Sequence, residues 1–303
     1  MIQYAKEYQL KTIKELWLES FPQENSNYAD FFFRRKYFPE NTLVFTENGQ
    51  LQAALQRYPH EIMLHDRVLK TSMIVGVTVK SEYQRLGKMR ALMQTTLDHV
   101  EHQELVTLIQ AYEPEIYRRY GFEMVYYHNE LKISRDQIKK ISNKGCSYEV
   151  ESDAMMKLYA SFVKHFNGFY IRDQRYFDDL KEEIDAQNGK IIAYYNEGQL
   201  EGYATLLPRN QEVVMEECIY MNSVALTKLI NLALQHRSTV LLKTSASENL
   251  KILFPDAEIE RSGFMMARIN DFDLFNRLYG TNVQSAKEAF SLGDKGLYIN
   301  EFM

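Results

Sequence analysis

The sequence predicts an α/β protein made of two related units, and three observations support this fold class. In the first half an amphipathic helix precedes several strand-like runs, and a buried apolar strand leads through a glycine turn into a second helix. The second half repeats this order of strands and helix. The segment Asn48-Gly49-Gln50-Leu51 recurs as Glu197-Gly198-Gln199-Leu200, each time between two strand-like runs. Three shared residues are also compatible with chance, but together these features favour a degenerate repeat of one α/β unit.

The elements of the first unit follow from hydrophobic periodicity and turn signals. Leu10, Ile13, Leu16 and Trp17 share one helical face. Asn48-Gly49 is a strong hairpin signal. The predicted elements, in order, are a helix over 8–19, strands over 43–47, 51–58, 61–64 and 73–79, a helix over 88–103, a strand over 105–110, a short helix over 114–119 and a strand over 122–132.

The second half contains matching runs and a short tail. A polar segment over 134–147 is the expected linker. The predicted elements are strands on either side of Glu197-Gly198, a strand over 213–220, a helix over 224–235, a strand over 239–244, and tail helices near 272–279 and 284–290. We therefore predict domains over 1–142 and 147–266, followed by a C-terminal region over 267–303.

Composition excludes several functional classes. With 36 basic and 41 acidic residues the net charge is -5, which offers no general attraction to nucleic acid and weakly favours a cationic substrate. The two cysteines, Cys146 and Cys218, form no metal or redox motif, and His99 and His102 have no third ligand nearby, so we predict no metal. The N-terminal segment lacks a signal-peptide core and no apolar run reaches the ~20 residues of a membrane span. These features predict a cytoplasmic protein that does not associate with membranes.

A basic turn joins the buried strand over 73–79 to the helix over 88–103. A glycine at such a corner lets successive backbone N–H groups point inward, and the positive end of the helix reinforces the attraction for an anion. The basic side chains add the charge that a pyrophosphate requires. Taken alone, the turn is equally compatible with an ordinary corner carrying solvated cations. Its residues are Gln84, Arg85, Leu86, Gly87, Lys88, Met89 and Arg90.

A second motif, Tyr117-x-x-x-Gly121-Phe122, follows thirty residues after Gly87. The order strand, Gln-x-x-Gly turn, helix, strand and Tyr-x-x-x-Gly-Phe resembles the GNAT superfamily of acetyltransferases. The resemblance implies tandem GNAT folds, with mixed, mostly antiparallel sheets flanked by helices and a short helical tail. The chain departs from the pattern at Met89, where a small residue is usual, and we expect this side chain to narrow the phosphate-binding turn.

Further segments resemble the enhanced-intracellular-survival (Eis-type) acetyltransferases. They include Gly168-Phe169-Tyr170-x-Arg172-Asp173 and Met266-Ala267-Arg268-Ile269. The resemblance implies a catalytic GNAT domain, a degenerate second GNAT domain and a sterol-carrier-like C-terminal domain. Only 35 residues follow Arg268, so we expect a shortened remnant of that third domain.

The same resemblance implies the parts of an active site. Acetyl-CoA is the expected cosubstrate, held by the backbone of Val77 and Val79 and by the basic turn. The acceptor is a small-molecule or peptide amine that attacks the thioester directly in a ternary complex. Tyr117 protonates the departing thiolate, in a transfer close to balanced because a phenol has a pKa of about 10 and a thiol about 8.5. The α-carboxylate of Met303 is the expected general base.

Other hypotheses stay open at the level of sequence. The chain could be a CoA-binding pseudoenzyme or regulatory protein, or a tandem-GNAT transferase with another acyl donor; its net charge disfavours a tRNA-linked one. Glu113 and Glu115 are candidates for an amine pocket, although surface carboxylates are the commoner case. The second unit has Met221-Asn222-Ser223 in place of the basic turn, so we do not expect it to bind CoA. A homo-oligomer is possible.

Overall fold

The computed structural model describes residues 1–23 and 25–301 of the chain. The predicted base, Met303, therefore lies outside the described residues. The chain divides into two compact units. The first comprises Met1–Val125, Met265–Leu292 and Glu301, and the second comprises Tyr126–Phe264 and Gly293–Asn300. The domain limits given above stay a prediction.

The helices and strands form two series along the chain. Within the described residues the first series is β1 (Ile2–Tyr4), α1 (Leu10–Ser20), α2 (Ser26–Arg35), β2 (Thr42–Glu47), β3 (Gln50–Leu64), β4 (Arg67–Val79), α3 (Lys88–Val100), β5 (Val106–Ile109), α4 (Pro114–Arg118) and β6 (Glu123–Ser134). The second is β7 (Cys146–Ser147), α5 (Ser152–Phe162), β8 (Phe169–Tyr170), α6 (Gln174–Ala186), β9 (Lys190–Asn196), β10 (Gln199–Arg209), β11 (Glu212–Tyr220), α7 (Ser223–Ala233), β12 (Thr239–Ser245), β13 (Glu258–Ile269), α8 (Phe272–Tyr279) and α9 (Ala286–Phe290).

The sheet of the first unit is mixed. Strands β1 to β4 form an antiparallel series, and β4 then pairs β5 in parallel. The last four residues of β13 pair β5 antiparallel. Helix α3 packs against this sheet and contributes to an apolar core whose fully or nearly fully buried members include Leu55, Ile74, Leu92, Met93, Ile109 and Phe122.

The sheet of the second unit follows the same plan. Strands β7, β9, β10 and β11 are antiparallel neighbours, β11 pairs β12 in parallel, and β12 pairs β6 antiparallel. Helix α7 packs on one apolar cluster, and α5 and α6 belong to another. The predicted α/β class with two similar units is confirmed.

The two hairpins carry the backbone conformation that their sequences predict. Asn48 and Gly49 both have positive φ, at 53° and 77°, and Glu197 and Gly198 repeat this with 50° and 84°. Paired positive φ values are typical of the tight turns whose twist matches that of the flanking strands.

Some elements differ from the sequence-based prediction. The strands expected over 51–58 and 61–64 are one continuous strand, β3, because β4 pairs it from Leu64 back to Ala53. Helix α2 was not predicted, since its three consecutive phenylalanines obscure the helical period. Its start is nevertheless capped, because the Asn25 side chain accepts a hydrogen bond from the backbone N–H of Asn27. Helices α5 and α6 were also not predicted.

Candidate active site

A β-bulge in β4 opens the centre of the first unit. Two residues of β4, Gly76 and Val77, face a single residue of β3, because Thr78 pairs Ala54 while Val75 pairs Gln56. Parallel pairing with β5 covers Thr71–Ile74, just before the bulge, and does not continue along β4 within the described chain. The backbone of β4 beyond the bulge is therefore released from β5, which offers free peptide groups to a ligand.

Gly76 permits this bulge for two reasons. Its φ is +59°, in the left-handed region that favours glycine. A Cβ at this position would also lie 2.7 Å from Cζ3 of Trp17, which is buried in α1. The sequence analysis gave neither Gly76 nor Trp17 a role in the site, although an isolated glycine within an apolar strand is a recognised signal for a bulge.

A cavity of about 840 Å³ lies beside the bulge. It runs from the end of α1, past the backbone of β4, to the start of α3 and to α4. All of its lining residues belong to the first unit. It brings together most of the predicted site residues: Val77, Val79, Gln84, Arg85, Gly87, Lys88, Met89, Arg90 and Tyr117. Leu86, in the same turn, is 63% exposed and does not line the cavity.

The basic turn has the backbone expected of an anion-binding corner. Gly87 is the N-cap of α3 with φ 77° and ψ 5°, and no side chain caps the helix. The backbone N–H of Ala91 bonds to the carbonyl of Gly87, so the N–H groups of Lys88, Met89 and Arg90 precede the first bond of the helix. A helix start of this kind attracts anions.

The cations of the turn fall into two groups. Arg85 and Arg90 are exposed. Lys88 is instead largely buried, with its Nζ 3.1 Å from Oε2 of Glu47 and 4.1 Å from the centre of the Phe45 ring. The exposed arginines therefore provide the accessible positive charge at this end of the cavity.

Met89 lines the cavity and also packs against the core of the first unit. We expected this side chain to narrow the turn because a smaller residue is usual there. The partly buried contact with the core accommodates its bulk, and α3 begins beside it without a break. The larger residue is thus compatible with a regular start of the helix.

Tyr117 lies on the short helix α4, partly buried, with its ring edge-on to Phe122 at a centroid distance of 6.5 Å. Burial raises the pKa of its hydroxyl to about 12, and the neighbouring Tyr120 and Glu113 add to the effect. The phenol is therefore fully protonated near neutral pH. This corrects the expectation of a balanced transfer, since a phenol of pKa about 12 is a much weaker acid than a thiol near 8.5.

Acidic and aromatic side chains occupy another part of the cavity wall. Glu113 lines the cavity, and so does Glu19, whose carboxylate accepts a hydrogen bond of 2.7 Å from Ser81. The rings of Phe21 and Tyr112, which also line the cavity, are tilted by 32° to each other with centroids 6.0 Å apart. Of the two carboxylates singled out from the sequence, Glu115 does not line the cavity and pairs with Arg118 at the surface. Glu19 lies at the end of α1, and Phe21 and Tyr112 lie on connections; none of the three belongs to a motif, so the sequence carried no signal for them.

The described part of the C-terminal tail is anchored in the second unit. Ser245 Oγ donates to the carbonyl of Leu297 at 2.6 Å, and His128 Nε2 to that of Ile299 at 2.8 Å. The Tyr298 ring is buried among the aromatic side chains of α5. Within the described residues there is no group of three or more potential metal ligands, and no helix is long and apolar enough to cross a membrane.

Comparison with known proteins agrees with this geometry. Residues 1–125 match a family model described as an acetyltransferase (GNAT) domain, and residues 168–269 match a second model with the same description. No curated protein sequence matches the chain significantly.

Several solved structures share the fold. A probable N-acyltransferase from Enterococcus faecalis V583 has a TM-score of 0.75 and 19% identity, with 89% of this chain and 72% of that chain covered. A GCN5-related N-acetyltransferase from Anabaena variabilis ATCC 29413 gives 0.76 and 17%, with 89% and 73% covered. Eis1 from Mycobacterium abscessus gives 0.70 and 14%, with 91% and 75% covered. At such identities the likeness establishes fold alone. The chain is thus built from two GNAT acetyltransferase domains.

Proposed function

We propose that the first unit transfers the acetyl group of acetyl-CoA to a primary amine by direct attack within a ternary complex. One observation carries the proposal: a single cavity joins the released backbone of β4, the uncapped start of α3 and the hydroxyl-bearing Tyr117. These three features offer, respectively, peptide groups for an extended thioester, an anion site for a pyrophosphate and a hydrogen-bond donor.

The basic turn would hold the pyrophosphate of the donor. Backbone N–H groups of Lys88, Met89 and Arg90 precede the first helical bond, and the exposed Arg85 and Arg90 add charge. Gln84 and Leu86 complete the turn. Val77, in the bulge, and Val79, beyond it, would bond the pantetheine chain and help to stabilise the oxyanion through their backbone N–H groups.

Tyr117 would act on the leaving sulfur. Because the pKa of its hydroxyl is about 12, it stays protonated and donates a hydrogen bond as negative charge develops on the thiolate. Full proton transfer would be unfavourable in the resting site. The phenol therefore serves best as a strong donor positioned before the reaction begins.

The amine must lose a proton to become a nucleophile. The resemblance to the Eis-type proteins supports the α-carboxylate of Met303 as the acceptor of that proton. An ordinary α-carboxyl has a pKa of about 3.5, so it would need a desolvated setting to serve as a base. The same resemblance supports our proposal that the C-terminal region is a shortened sterol-carrier-like domain.

The acceptor would be a positively charged amine, either a small molecule or a peptide. Glu19 and Glu113 line the cavity and would attract a cation, and Phe21 and Tyr112 offer aromatic faces beside them. The opposite sign at the basic turn would keep the donor and acceptor ends apart. The cytoplasmic location and a homo-oligomeric state remain predictions.

The proposal is tested by acetyl-CoA turnover on a panel of polyamines, aminoglycosides and lysine peptides. Acetylation of at least one amine is expected, whereas binding of acetyl-CoA without turnover on any amine would favour a pseudoenzyme. Turnover of another acyl-CoA in preference to acetyl-CoA would favour the alternative donor.

A second form of the protein with one alanine added after Met303 tests the base. Displacing the carboxylate by one residue should lower turnover strongly while leaving acetyl-CoA affinity unchanged. Undiminished activity in the extended protein would exclude the terminal carboxylate as the general base.

A further inference from the structure

Lys88 differs from the other cations of the basic turn in the direction of its contacts. Its ammonium lies 3.1 Å from Oε2 of Glu47 at the end of β2, and 4.1 Å from the centre of the Phe45 ring on the same strand. The Lys88 side chain is only 12% exposed. Two separate contacts therefore fix this ammonium against the β2–β3 hairpin.

The partner carboxylate is itself held in place. Gln52 Nε2 donates to the same oxygen of Glu47 at 3.3 Å, and these two donors lower the pKa of the Glu47 carboxyl. Glu47 therefore remains ionised near neutral pH. A carboxylate near the expected position of a pyrophosphate would repel it unless a cation neutralised its charge.

Other contacts join the same hairpin to the segment that precedes α3. Tyr83 Oη donates to Oε1 of Gln50 at 2.8 Å, and the backbone N–H of Lys80 donates to the carbonyl of Gln52 at 2.9 Å. The turn is thus attached to the hairpin both before and after Gly87. Lys88 provides the attachment on the helical side.

We infer that the Lys88 side chain is a positioning residue and not a phosphate ligand: its ion pair with Glu47 holds the first turn of α3 against the β2–β3 hairpin, and the exposed Arg85 and Arg90 bind the phosphates. The inference rests on the proposed function, because it assumes that the turn receives the phosphates of CoA. The backbone N–H of Lys88 keeps its place in the anion site.

Exchanging the two charges distinguishes a positioning role from a ligand role. In the double variant Glu47→Lys/Lys88→Glu the ion pair is retained with reversed polarity. If the pair positions the turn, this variant should bind CoA within about 3-fold of the wild type. The contact between the two side chains is retained, and reversing the polarity of a partly exposed pair changes its energy little. If Lys88 binds phosphate, a carboxylate would face the phosphates and affinity should fall by at least about 10-fold.

The measurement is calorimetric titration with CoA, with thermal unfolding of each variant recorded alongside. Lys88→Glu alone should weaken binding by roughly 10-fold or more, since it leaves two adjacent carboxylates, and the exchange at Glu47 should rescue it. Arg90→Glu is the matched control, and the Glu47→Lys change should not rescue it. Failure of rescue at Lys88 with wild-type folding would overturn the inference.

If the charge-exchanged variant does not fold, replacing both residues of the ion pair with uncharged ones still distinguishes a positioning role of Lys88 from a ligand role. The double variant Glu47→Gln/Lys88→Met should keep the wild-type dependence of CoA affinity on salt, whereas Arg90→Met should make CoA affinity less sensitive to salt. A reduction of the same size in the neutral pair would overturn the inference. If wild-type protein does not bind CoA at all, the proposed function fails, and the inference fails with it.

Discussion

The two units contain the same kind of β-bulge but differ in the side chains around it. In the first, Gly76 and Val77 bulge opposite Leu55; in the second, Glu216 and Glu217 bulge opposite Thr205. In each unit, four parallel pairs with the next strand precede the bulge. The same backbone arrangement is therefore present twice, with different side chains at each bulge.

The side chains at the two bulges differ. In the first unit the bulge carries a glycine, and a cavity lies beside it. In the second, Glu216 pairs with Lys243 at 2.8 Å and Glu217 with the buried Arg172 at 2.7 Å. The tail adds to this filling, because Asn300 Nδ2 donates to the bulge carbonyl of Glu216 at 2.7 Å.

The strand-to-helix corners differ in the same sense. The backbone N–H of Met221 bonds to the carbonyl of Glu201, as that of Lys80 does to Gln52 in the first unit. In the second unit the Asn222 side chain caps α7 through Ala225 N–H and donates to the Glu201 carboxylate at 2.9 Å. A protein carboxylate thus lies near a helix start that is already capped. The two helix starts therefore differ in capping and in neighbouring charge, although the backbone arrangement around them is the same.

The largest effect should come from removing the hydroxyl of Tyr117 in the first unit. Tyr117→Phe should lower turnover by about 10²–10⁴-fold with little change in acetyl-CoA affinity, because the donor to the leaving sulfur is lost. The matched control is Tyr220→Phe in the second unit, whose hydroxyl donates to Glu248. Steady-state kinetics with a fixed amine measures both. Equal losses in the two variants would contradict the assignment of chemistry to the first unit alone.

Removing the buried cation of the second unit should have the next largest effect. Arg172→Met leaves the carboxylate of Glu217 in the interior without its cation. The hydrogen bond from the Tyr203 hydroxyl would remain its neutral partner. We expect a loss of roughly 3–5 kcal/mol in the free energy of unfolding, measured by urea denaturation. Arg175→Met, which removes an exposed pair with Asp179, should cost about 1 kcal/mol or less. Similar losses for both would show that the ion pair does not stabilise the filled centre.

A side chain at the glycine of the first bulge should be moderately destabilising. Gly76→Ala combines a positive φ with a Cβ 2.7 Å from the Trp17 ring, and we expect a cost of roughly 2–4 kcal/mol together with weaker CoA binding. Gly49→Ala is the matched control, because its φ is +77° but nothing lies within 4 Å of the added Cβ. It should cost about 1 kcal/mol. Thermal unfolding that ranked both variants equally would rule out the contact with Trp17 as the constraint.

The smallest effect concerns the dependence of stability on pH, and it comes from Glu248, just after β12. Burial raises the pKa of Glu248 from 4.5 to about 7, against hydrogen bonds from Tyr220 and Ser245. The folded state therefore holds this proton more tightly than the unfolded state, and the resulting stability decreases as pH rises from about 4.5 to about 7.

Because Glu248 is only partly buried, we expect this pH-dependent contribution to be on the order of 1–2 kcal/mol. Glu248→Gln should remove it. Glu201→Gln is the control of opposite sign, since hydrogen bonds from Asn222 and Asn196 lower the pKa of that carboxyl. Urea unfolding across about pH 3–8 tests both, because the contribution of Glu201 is lost only below about pH 4.5. An unchanged pH profile in Glu248→Gln would refute the assignment.

Local features of the sequence were enough to predict the fold and much of the candidate site. Asn48, Gly49 and Gly198 are residue types that favour positive φ, and the shared Gly-Gln-Leu between strand-like runs made the repeat visible in the sequence. Gly87 and Tyr117 belong to motifs of fixed spacing, and the structure brings both to one cavity. Helix α2 was missed because tertiary packing of its aromatic side chains, and not the helical period, determines its conformation.

Tertiary structure alone decided which charges are accessible and which side chains reach the cavity. Arg85, Lys88 and Arg90 were equivalent in the sequence, but Lys88 is paired with Glu47, forty-one residues away. Glu113 and Glu115 were equally plausible, yet only Glu113 lines the cavity. A turn motif records backbone geometry, which is local, whereas charge pairing and burial depend on residues brought together from distant parts of the chain. The basic turn itself could therefore be recognised in the sequence, whereas the exposure and pairing of each cation within it could not.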